Sequence, residues 1–382
     1  MRQLESERVG TVKLQLSGYR AFIPHPLGPA GPTLEISNDI IRLISEAERA
    51  LGELKGITEV LANPDLFVAF YVQKEALLSS QIEGTECTLD EVFQIDEKTD
   101  ETKPVGEIIN YIAAMNYGLE NLKRLPISIR LINEIHEKLL HGLRGNGKYP
   151  GEIKRSQNWI GPSGCTLAEA AYVPPPPEKT IELLGDLETF YHADTTHSPL
   201  IKAAILHAHF ETIHPYLDGN GRLGRLLITF MLCEQDILQR PLLYLSLFFK
   251  EHKKEYYELL MNVRFKGHWE EWITFFLRGV RHTSLEASKT ARELLALQKK
   301  HKDQIQSSTI RNLNADRCYE IFLEKPILTI NEAMKKLAVS YPTAKSAIEA
   351  LIILGIVKQY DKAERNKRYS YDEYLAVLKR GT

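Results

Sequence analysis

Clustered cysteine is missing from this chain. Cys87, Cys165, Cys233 and Cys318 lie far apart among 382 residues, with no CxxC and no HxC pair. Neither a disulfide framework nor a cysteine zinc site is expected, and free thiols in a reducing compartment are. No run of 18 apolar residues occurs, so no transmembrane helix and no membrane partner are expected. The opening "MRQLESERVG" has no apolar core of the kind a signal peptide needs, which points to a cytoplasmic protein. Net charge is nearly absent, 48 Lys+Arg against 50 Asp+Glu, so the charge of the whole chain favours no class of partner. Internal repeats and low-complexity tracts are absent too.

What is present is ordinary in bulk and uneven in detail. An apolar share of 43% and a charged share of 26% suit a globular protein with a sizeable core, and the length suits two or three domains. Residues 283–382 carry 18 Lys+Arg against 12 Asp+Glu, a net of +6 that leaves −8 for the remainder.

The fold class expected is mainly α. The first 35 or so residues, rich in Pro and Gly, read as an extended arm or loops. Helices follow at 36–55, with Ile41, Ile44 and Ala47 at helical spacing, and over 63–84, between the start signal Asn63-Pro64-Asp65 and the stop Gly84. Further helices are expected at 105–122 and 128–140. Residues 141–177 are loop-rich, with short strands near Asn158–Ile160 and Ala171–Val173; a loop of this length is usually functional. A second Gly-Asn-Gly turn, at 145–147, is a weaker phosphate-loop candidate. Helices resume at 178–192, 198–213, 221–237, 250–265 and 269–305. Residues 311–382 read as two short helices about a turn at Ala338–Tyr341, then two strands around a basic turn, the winged helix-turn-helix pattern.

The chemistry concentrates in "HPYLDGNGRLGR", residues 214–225. Pro215 makes His214 a helix end, where its ring can face a cleft. Asp218-Gly219-Asn220-Gly221 is a turn whose glycines allow close approach to a ligand. The next helix starts near Gly221 or Arg222, and its first N–H groups form an anion site. Arg222 and Arg225, three apart, oppose the helix dipole there and call for an anion, best a polyphosphate. Asp218 offers the oxygen ligand that Mg²⁺ takes beside phosphates, and His214 a base near neutral pH. A metal site from His207, His209 and His214 is a poor alternative, because i and i+2 point to different helix faces and no HExxH occurs.

His214-Pro215-Tyr216-x-Asp218-Gly219-Asn220-Gly221-Arg222-x-x-Arg225 resembles the complete active-site motif of Fic-domain proteins, with Tyr216 where Phe is frequent. The likeness runs over most of 1–280 and includes "NWIG" and "AYVPPPP". It implies a helical domain with a short β-hairpin flap that transfers AMP from ATP to a hydroxyl of a target protein or of itself. By motif position, His214 is the implied base, Asp218 the Mg²⁺ ligand, Gly219, Asn220 and Gly221 the anion hole, Arg222 a phosphate clamp and Arg225 the γ-phosphate ligand. "SSQIEG" resembles the family's inhibitory helix motif: Ser79 and Glu83 would hold Arg225 within the same chain and keep the γ-phosphate out. The flap is expected at 156–173, with Ile160 and Tyr172 as edges that pair with the target. Tyr256 and Tyr257 are the adenine candidates; Arg264 lies near the place of an Asn frequent in the family.

The resulting division is an N-terminal helical region 1–104 holding the inhibitory helix at about 64–84, a catalytic domain 105–280, a linker helix 281–310 and a winged-helix domain 311–382. The last resembles a C-terminal domain attached to many bacterial Fic proteins. Tyr341, Thr343, Lys345 and Ser346 would begin its recognition helix, and Lys362, Arg365, Lys367 and Arg368 its hairpin tip, a surface suited to duplex DNA. Two other readings stay open: a DNA-binding regulator whose Fic domain senses nucleotide, and transfer of phosphate or UMP in place of AMP. A homodimer is left open as well.

Overall fold

The computed structural model describes residues 4–6, 8–28, 31–61, 63–93, 103–142, 149–162, 164–193, 195–310, 312–360 and 367–380. They divide into two compact units, residues 1–52 with 71–284 and residues 53–70 with 285–382.

The N-terminal arm is more than a loop. β1 (Gly10–Leu14) and β2 (Arg20–Pro24) pair antiparallel, with Val12 opposite Phe22. Ala21 and Phe22 are fully buried, and the Phe22 ring lies 6.0 Å from Tyr172 and 5.8 Å from Phe265. The apolar face of one strand, hidden in the sequence by the neighbouring Pro and Gly, is what the hairpin buries.

Helices follow: α1 (Asn38–Glu59), α2 (Pro64–Ile82), α3 (Leu89–Phe93), α4 (Lys103–Asn121), α5 (Ile129–Leu139), α6 (Pro177–Ala193), α7 (Pro199–Ile213), α8 (Asn220–Glu234), α9 (Ser246–Glu251), α10 (Lys253–Lys266) and α11 (Trp269–Ser307). In α1 Ala47 is buried as expected, together with Ile40 and Leu51, while Ile41 is half exposed, so the start of the stripe runs through Ile40 in place of Ile41. The single helix expected at 250–265 is two, α9 and α10. They break at His252, whose ring Nδ1 meets Phe248 O at 3.0 Å. Among its described residues, the long loop between α5 and α6 holds one 3₁₀ turn, Leu167–Glu169, and the expected strands reduce to a single antiparallel bridge between Ile160 and Tyr172. The run Pro174–Pro177 offers no N–H for a longer ladder.

α7 positions the site. Ser198 caps it by accepting from Ile201 N, Pro199 opens it, and every side chain from Leu200 to Ile213 is buried. A helix buried all round belongs at the centre of a core. α8 packs on it through Gly224, where a β-carbon would stand 2.7 Å from Glu211 Oε1.

The second unit adds α12 (Ala315–Glu324), β3 (Ile327–Thr329), α13 (Ile330–Leu337), α14 (Tyr341–Ile353), β4 (Lys358–Gln359), β5 (Arg368–Ser370) and α15 (Asp372–Leu378), with strand order β3-β5-β4, all antiparallel. Thr329 and Glu332 form a capping box on α13, and Ser340 caps α14 by accepting from Thr343 N. The two expected short helices, α13 and α14, and the two expected strands, β4 and β5, are present. β3, α12 and α15 are additional, since strands of two or three residues and isolated short helices leave little periodicity to read.

Candidate active site

The loop between α7 and α8 places the chemistry. His214 closes α7 in the left-handed conformation, φ 49° and ψ 63°, directly before Pro215. That is a strained setting for a β-carbon-bearing residue and one typical of functional sites. Its ring lines a cleft of about 470 Å³ together with Asp218, Gly219, Asn220, Gly221, Arg222, Glu83 and Glu107. Burial first, then the Lys154 and Arg264 charges, pushes the His214 pKa down to about 3, so the imidazole is neutral at ordinary pH. Nδ1 lies 3.8 Å from Glu211 Oε2, beyond hydrogen-bond reach. Glu211 is itself buried, which pushes its carboxyl up to about 7.

The turn is built for an anion. Gly219 caps α8 at φ 77° with no side-chain cap, so the first N–H groups of the helix stay available. Asp218 Oδ1 accepts from Gly219 N at 2.7 Å, and Asn220 Oδ1 accepts from Tyr216 N while its Nδ2 donates to Tyr216 O. His136 supports the turn from α5. Its Nδ1 accepts from Gly151 N, so Nε2 carries the proton and donates to Asp218 O at 3.0 Å. Its ring stacks on Tyr216 at 3.8 Å.

The two arginines face different helices. Arg222, 4% exposed, has Nη1 3.7 Å from Glu107 Oε2 of α4, and neither Arg222 Nη1 nor Arg222 Nε has a hydrogen-bond partner among the described residues. A buried guanidinium with orphaned donors on the wall of a cleft suits a phosphate. Arg225 is fully engaged: Nε donates to Ser79 Oγ at 2.8 Å, and Nη2 to Ser79 O at 3.0 Å and to Glu83 Oε1 at 2.7 Å. Burial works against the Arg225 charge, and Glu83, first among the opposing groups, more than restores it. Glu83 lies at the end of α2, whose C-terminus is offset by Lys253 donating to Ile82 O at 2.6 Å. One turn above Ser79, buried Glu75 accepts from Ser246 N at 3.1 Å and from Ser246 Oγ.

A second cavity, about 770 Å³, shares Glu83, Gly84, His214 and Gly221 with the first and extends past Trp159, Ile160, Tyr257, Met261 and Arg264. The carboxylate of Glu83 thus stands where the two spaces meet. Tyr257 is 39% exposed on its wall. Tyr256, which also borders this cavity, is buried, its OH bonding His207 Nε2 at 2.9 Å and its ring stacked on Phe249 at 4.5 Å; of the two adenine candidates it is the less accessible. His207 is also spent on Gly224 O, and no group of three metal-ligating side chains occurs among the described residues, against the histidine metal site.

The flap expectation changes too. Ile160 N donates to Tyr172 O and Tyr172 N to Ile160 O, at 2.8 and 3.0 Å. Their main-chain groups are engaged with each other and not open to a target. Tyr172 is a core residue: its OH donates to Thr212 O, and Arg264 covers its ring at 4.3 Å. In the second unit, Tyr341, Lys345 and Ser346 are exposed and Thr343 half-buried at the start of α14. Lys345 lies 3.6 Å from Glu349, and Arg368 covers the Tyr360 ring. Arg365, Lys362 and the turn at 145–147 lie outside the described residues.

Residues 41–120 match the Fic/DOC family N-terminal region, and residues 126–232, which hold the whole loop and both arginines, match the Fic/DOC family. The chain carries a Fic/DOC-family domain. It is related to known protein adenylyltransferases: 29% identical over 178 residues to a probable protein adenylyltransferase of Aquifex aeolicus, covering 45% of this chain and 51% of the relative. It is also 32% identical over 130 residues to the protein adenylyltransferase Fic of Drosophila willistoni, covering 33% and 24%. The chain thus spans about half, or about a quarter, of these relatives' lengths. In fold it is similar to a Fic family protein from Desulfovibrio desulfuricans G20, with TM-score 0.57 and 21% identity over 90% of this chain and 98% of the other. A Fic domain containing signaling protein from Bacteroides thetaiotaomicron aligns with TM-score 0.51, 19% identity, 67% and 97% coverage. No helix among the described residues is long and apolar enough to cross a membrane.

Lys154, Asn158, His136, Glu107 and Glu211 were missed as site residues by sequence reasoning. Asn158 alone left a trace, as the Asn of "NWIG" in an unusually long loop.

Proposed function

We propose that this chain transfers AMP from ATP to a Ser, Thr or Tyr hydroxyl of a target protein, or of itself, and that Glu83 restrains the reaction. The observation that carries the reading is the meeting of His214, Asp218, Arg222 and the open first turn of α8 on one cleft, with Glu83 across it. His214 takes the hydroxyl proton. The hydroxyl oxygen forms a bond to the α-phosphorus, the bond from that phosphorus to the bridging oxygen breaks, and pyrophosphate leaves. The chain's part is positioning and charge stabilisation, as in other phosphoryl-type transfers. The N–H groups of Asn220 and Gly221 and the Arg222 guanidinium receive the phosphate oxygens.

Asp218 suits Mg²⁺: its carboxylate is 22% exposed on the cleft wall, a single hard oxygen ligand beside the place of the phosphates. Bound there, Mg²⁺ would neutralise phosphate charge, drawing its other ligands from phosphate and water. Arg225 is the natural ligand of the γ-phosphate, and Glu83 holds it instead, so the resting chain is self-inhibited. For the second unit, duplex DNA is the partner we propose, on the exposed first turn of α14.

The test uses ATP labelled at the α- or the γ-phosphate, Mg²⁺, a cell lysate, and three proteins: wild type, Glu83→Gly, and Glu83→Gly with His214→Ala. Protein-bound label from the α position only, strong in Glu83→Gly and lost in the double variant, is the expected result. Absence of label in every variant while ATP still binds would replace transfer with nucleotide sensing.

A further inference from the structure

The loop that carries His214 is held by a segment the reaction itself does not use. At the end of α7 the carbonyls have no helical partner. Lys154 Nζ donates to Ile213 O at 3.2 Å and to His214 O at 3.0 Å, and its main-chain N donates to Pro215 O at 2.8 Å. The same Nζ donates to Asn158 Oδ1 at 2.9 Å, and Asn158 Nδ2 donates to His214 O at 2.9 Å and Tyr216 O at 2.7 Å. Four successive carbonyls, 213 to 216, are therefore fastened by residues 154 and 158. Tyr216 O is fastened a second time by Asn220.

This accounts for a conformation that has no local support. A left-handed residue before proline persists only where its surroundings over-determine it. The grip comes from a lysine that is 3% exposed and whose side-chain bonds all go to neutral oxygens. Burial without a carboxylate partner among the described residues brings its pKa down to about 7. Its charge is also the first electrostatic influence on His214 after burial. The groups facing the His214 ring are Lys154 from the loop, Glu211 from α7 and Arg264 from α10; Asp218, Arg222 and Glu83 share the cleft.

We infer that Lys154, braced by Asn158, is a positioning residue for His214: it fixes the catalytic loop in its left-handed turn and thereby aims the imidazole at the incoming hydroxyl. The inference rests on His214 being the base. Because residues 159 and 160 follow at once on the cavity wall, whatever settles on that wall is tied to the His214 loop through the two side chains.

The experiment compares Lys154→Met, Lys154→Arg and Asn158→Ala in the Glu83→Gly protein. Two readouts are used: steady-state transfer of α-phosphate label, and the ring signal of His214 in a protein labelled at histidine, assigned through His214→Ala. Lys154→Met is expected to lower kcat by about 10- to 100-fold, the range for a misplaced reacting group, and to leave KM for ATP within about 3-fold. Lys154→Arg keeps charge and donors and should fall less far. The His214 signal should move in Lys154→Met and in Asn158→Ala at fixed pH. An unmoved signal in both variants overturns the inference, as does a loss that appears in KM alone. If the parent protein transfers no label, the proposed function fails, and the His214 signal still decides the clamp. Should Lys154→Met not fold, Asn158→Ala, which removes the brace, carries the same expectation.

Discussion

Glu83 Oε1 occupies the space in which the β-carbon of any side chain at position 221 would begin. Gly221 is in the helical region, so backbone conformation does not demand glycine there. Space for the carboxylate does. The residue that opens α8 to phosphate is thus also the residue that admits the group proposed to keep phosphate out.

Gly221→Ala should therefore change sign with its neighbour. In wild type it is expected to cost about 1–3 kcal/mol through overpacking against Glu83. In the Glu83→Gly background the carboxylate contact is gone and only the flexible end of Arg225, with Nη1 3.2 Å away, stays close, so the better helix propensity of Ala, worth up to about 1 kcal/mol, should outweigh what remains. Chemical denaturation of the four proteins in a double-mutant cycle measures the coupling. Equal costs in both backgrounds would refute it.

Ser79 supplies two of the three bonds to Arg225, one from its hydroxyl. Ser79→Ala leaves Arg225 Nε buried without its acceptor, at a cost of about 1–3 kcal/mol, and should loosen the seat of Glu83. Basal label transfer should rise above wild type but stay below Glu83→Gly. Arg225→Ala should abolish transfer in either background and destabilise by about 3–5 kcal/mol, since it strips a buried charge from its partners. Label transfer and denaturation midpoints read both.

Tyr256 and Tyr257, adjacent in sequence, should separate cleanly. Tyr256→Phe removes the partner of His207 Nε2; about 1–3 kcal/mol of stability should be lost with KM for ATP within about 2-fold. Tyr257→Ala should do the reverse, raising KM for ATP with little effect on stability. Swapped outcomes would move the nucleotide away from the larger cavity.

Acid should weaken the fold early. His136, His207, His209 and His214 have pKa values pushed down by burial to about 4, 3, 4 and 3. The unfolded chain binds more protons at these sites whenever the pH lies below about 6.5 and above the folded values, so their stabilisation, full above pH 6.5, is lost as pH falls through that window. Each contributes a slope of about 1.4 kcal/mol per pH unit. Glu211, pushed up to about 7, and Glu75, also pushed up by burial, work the other way above 4.5, against four histidines. Denaturation free energy should drop between pH 7 and 5; a flat profile would contradict the burial of these rings.

The legible parts of this protein are those with local rules. Helix ends at Pro64 and Pro199 and the chemistry of 214–225 could be read directly, because caps, turns and anion-binding helix starts are written in adjacent residues. The β1–β2 hairpin could not, since Phe22 is a strand residue by virtue of Tyr172 and Phe265, far away in the chain. Lys154 was equally illegible: a lysine in a polar loop reads as solvated until a helix end closes over it. Tyr172 was hard to read for the converse reason, as residue type suggested contact with a target and packing took the ring inward.

α7 has no wet side. Its amides are the ones to exchange slowest with solvent deuterium, at a rate near that of global unfolding, while the exposed ends of β1 and α1 open many times in the same interval. The histidine proposed as base is thus mounted at the end of a fully buried helix, the piece of its unit expected to come apart last. Local breathing elsewhere in that unit can let nucleotide or target in and out without the base losing its bearing.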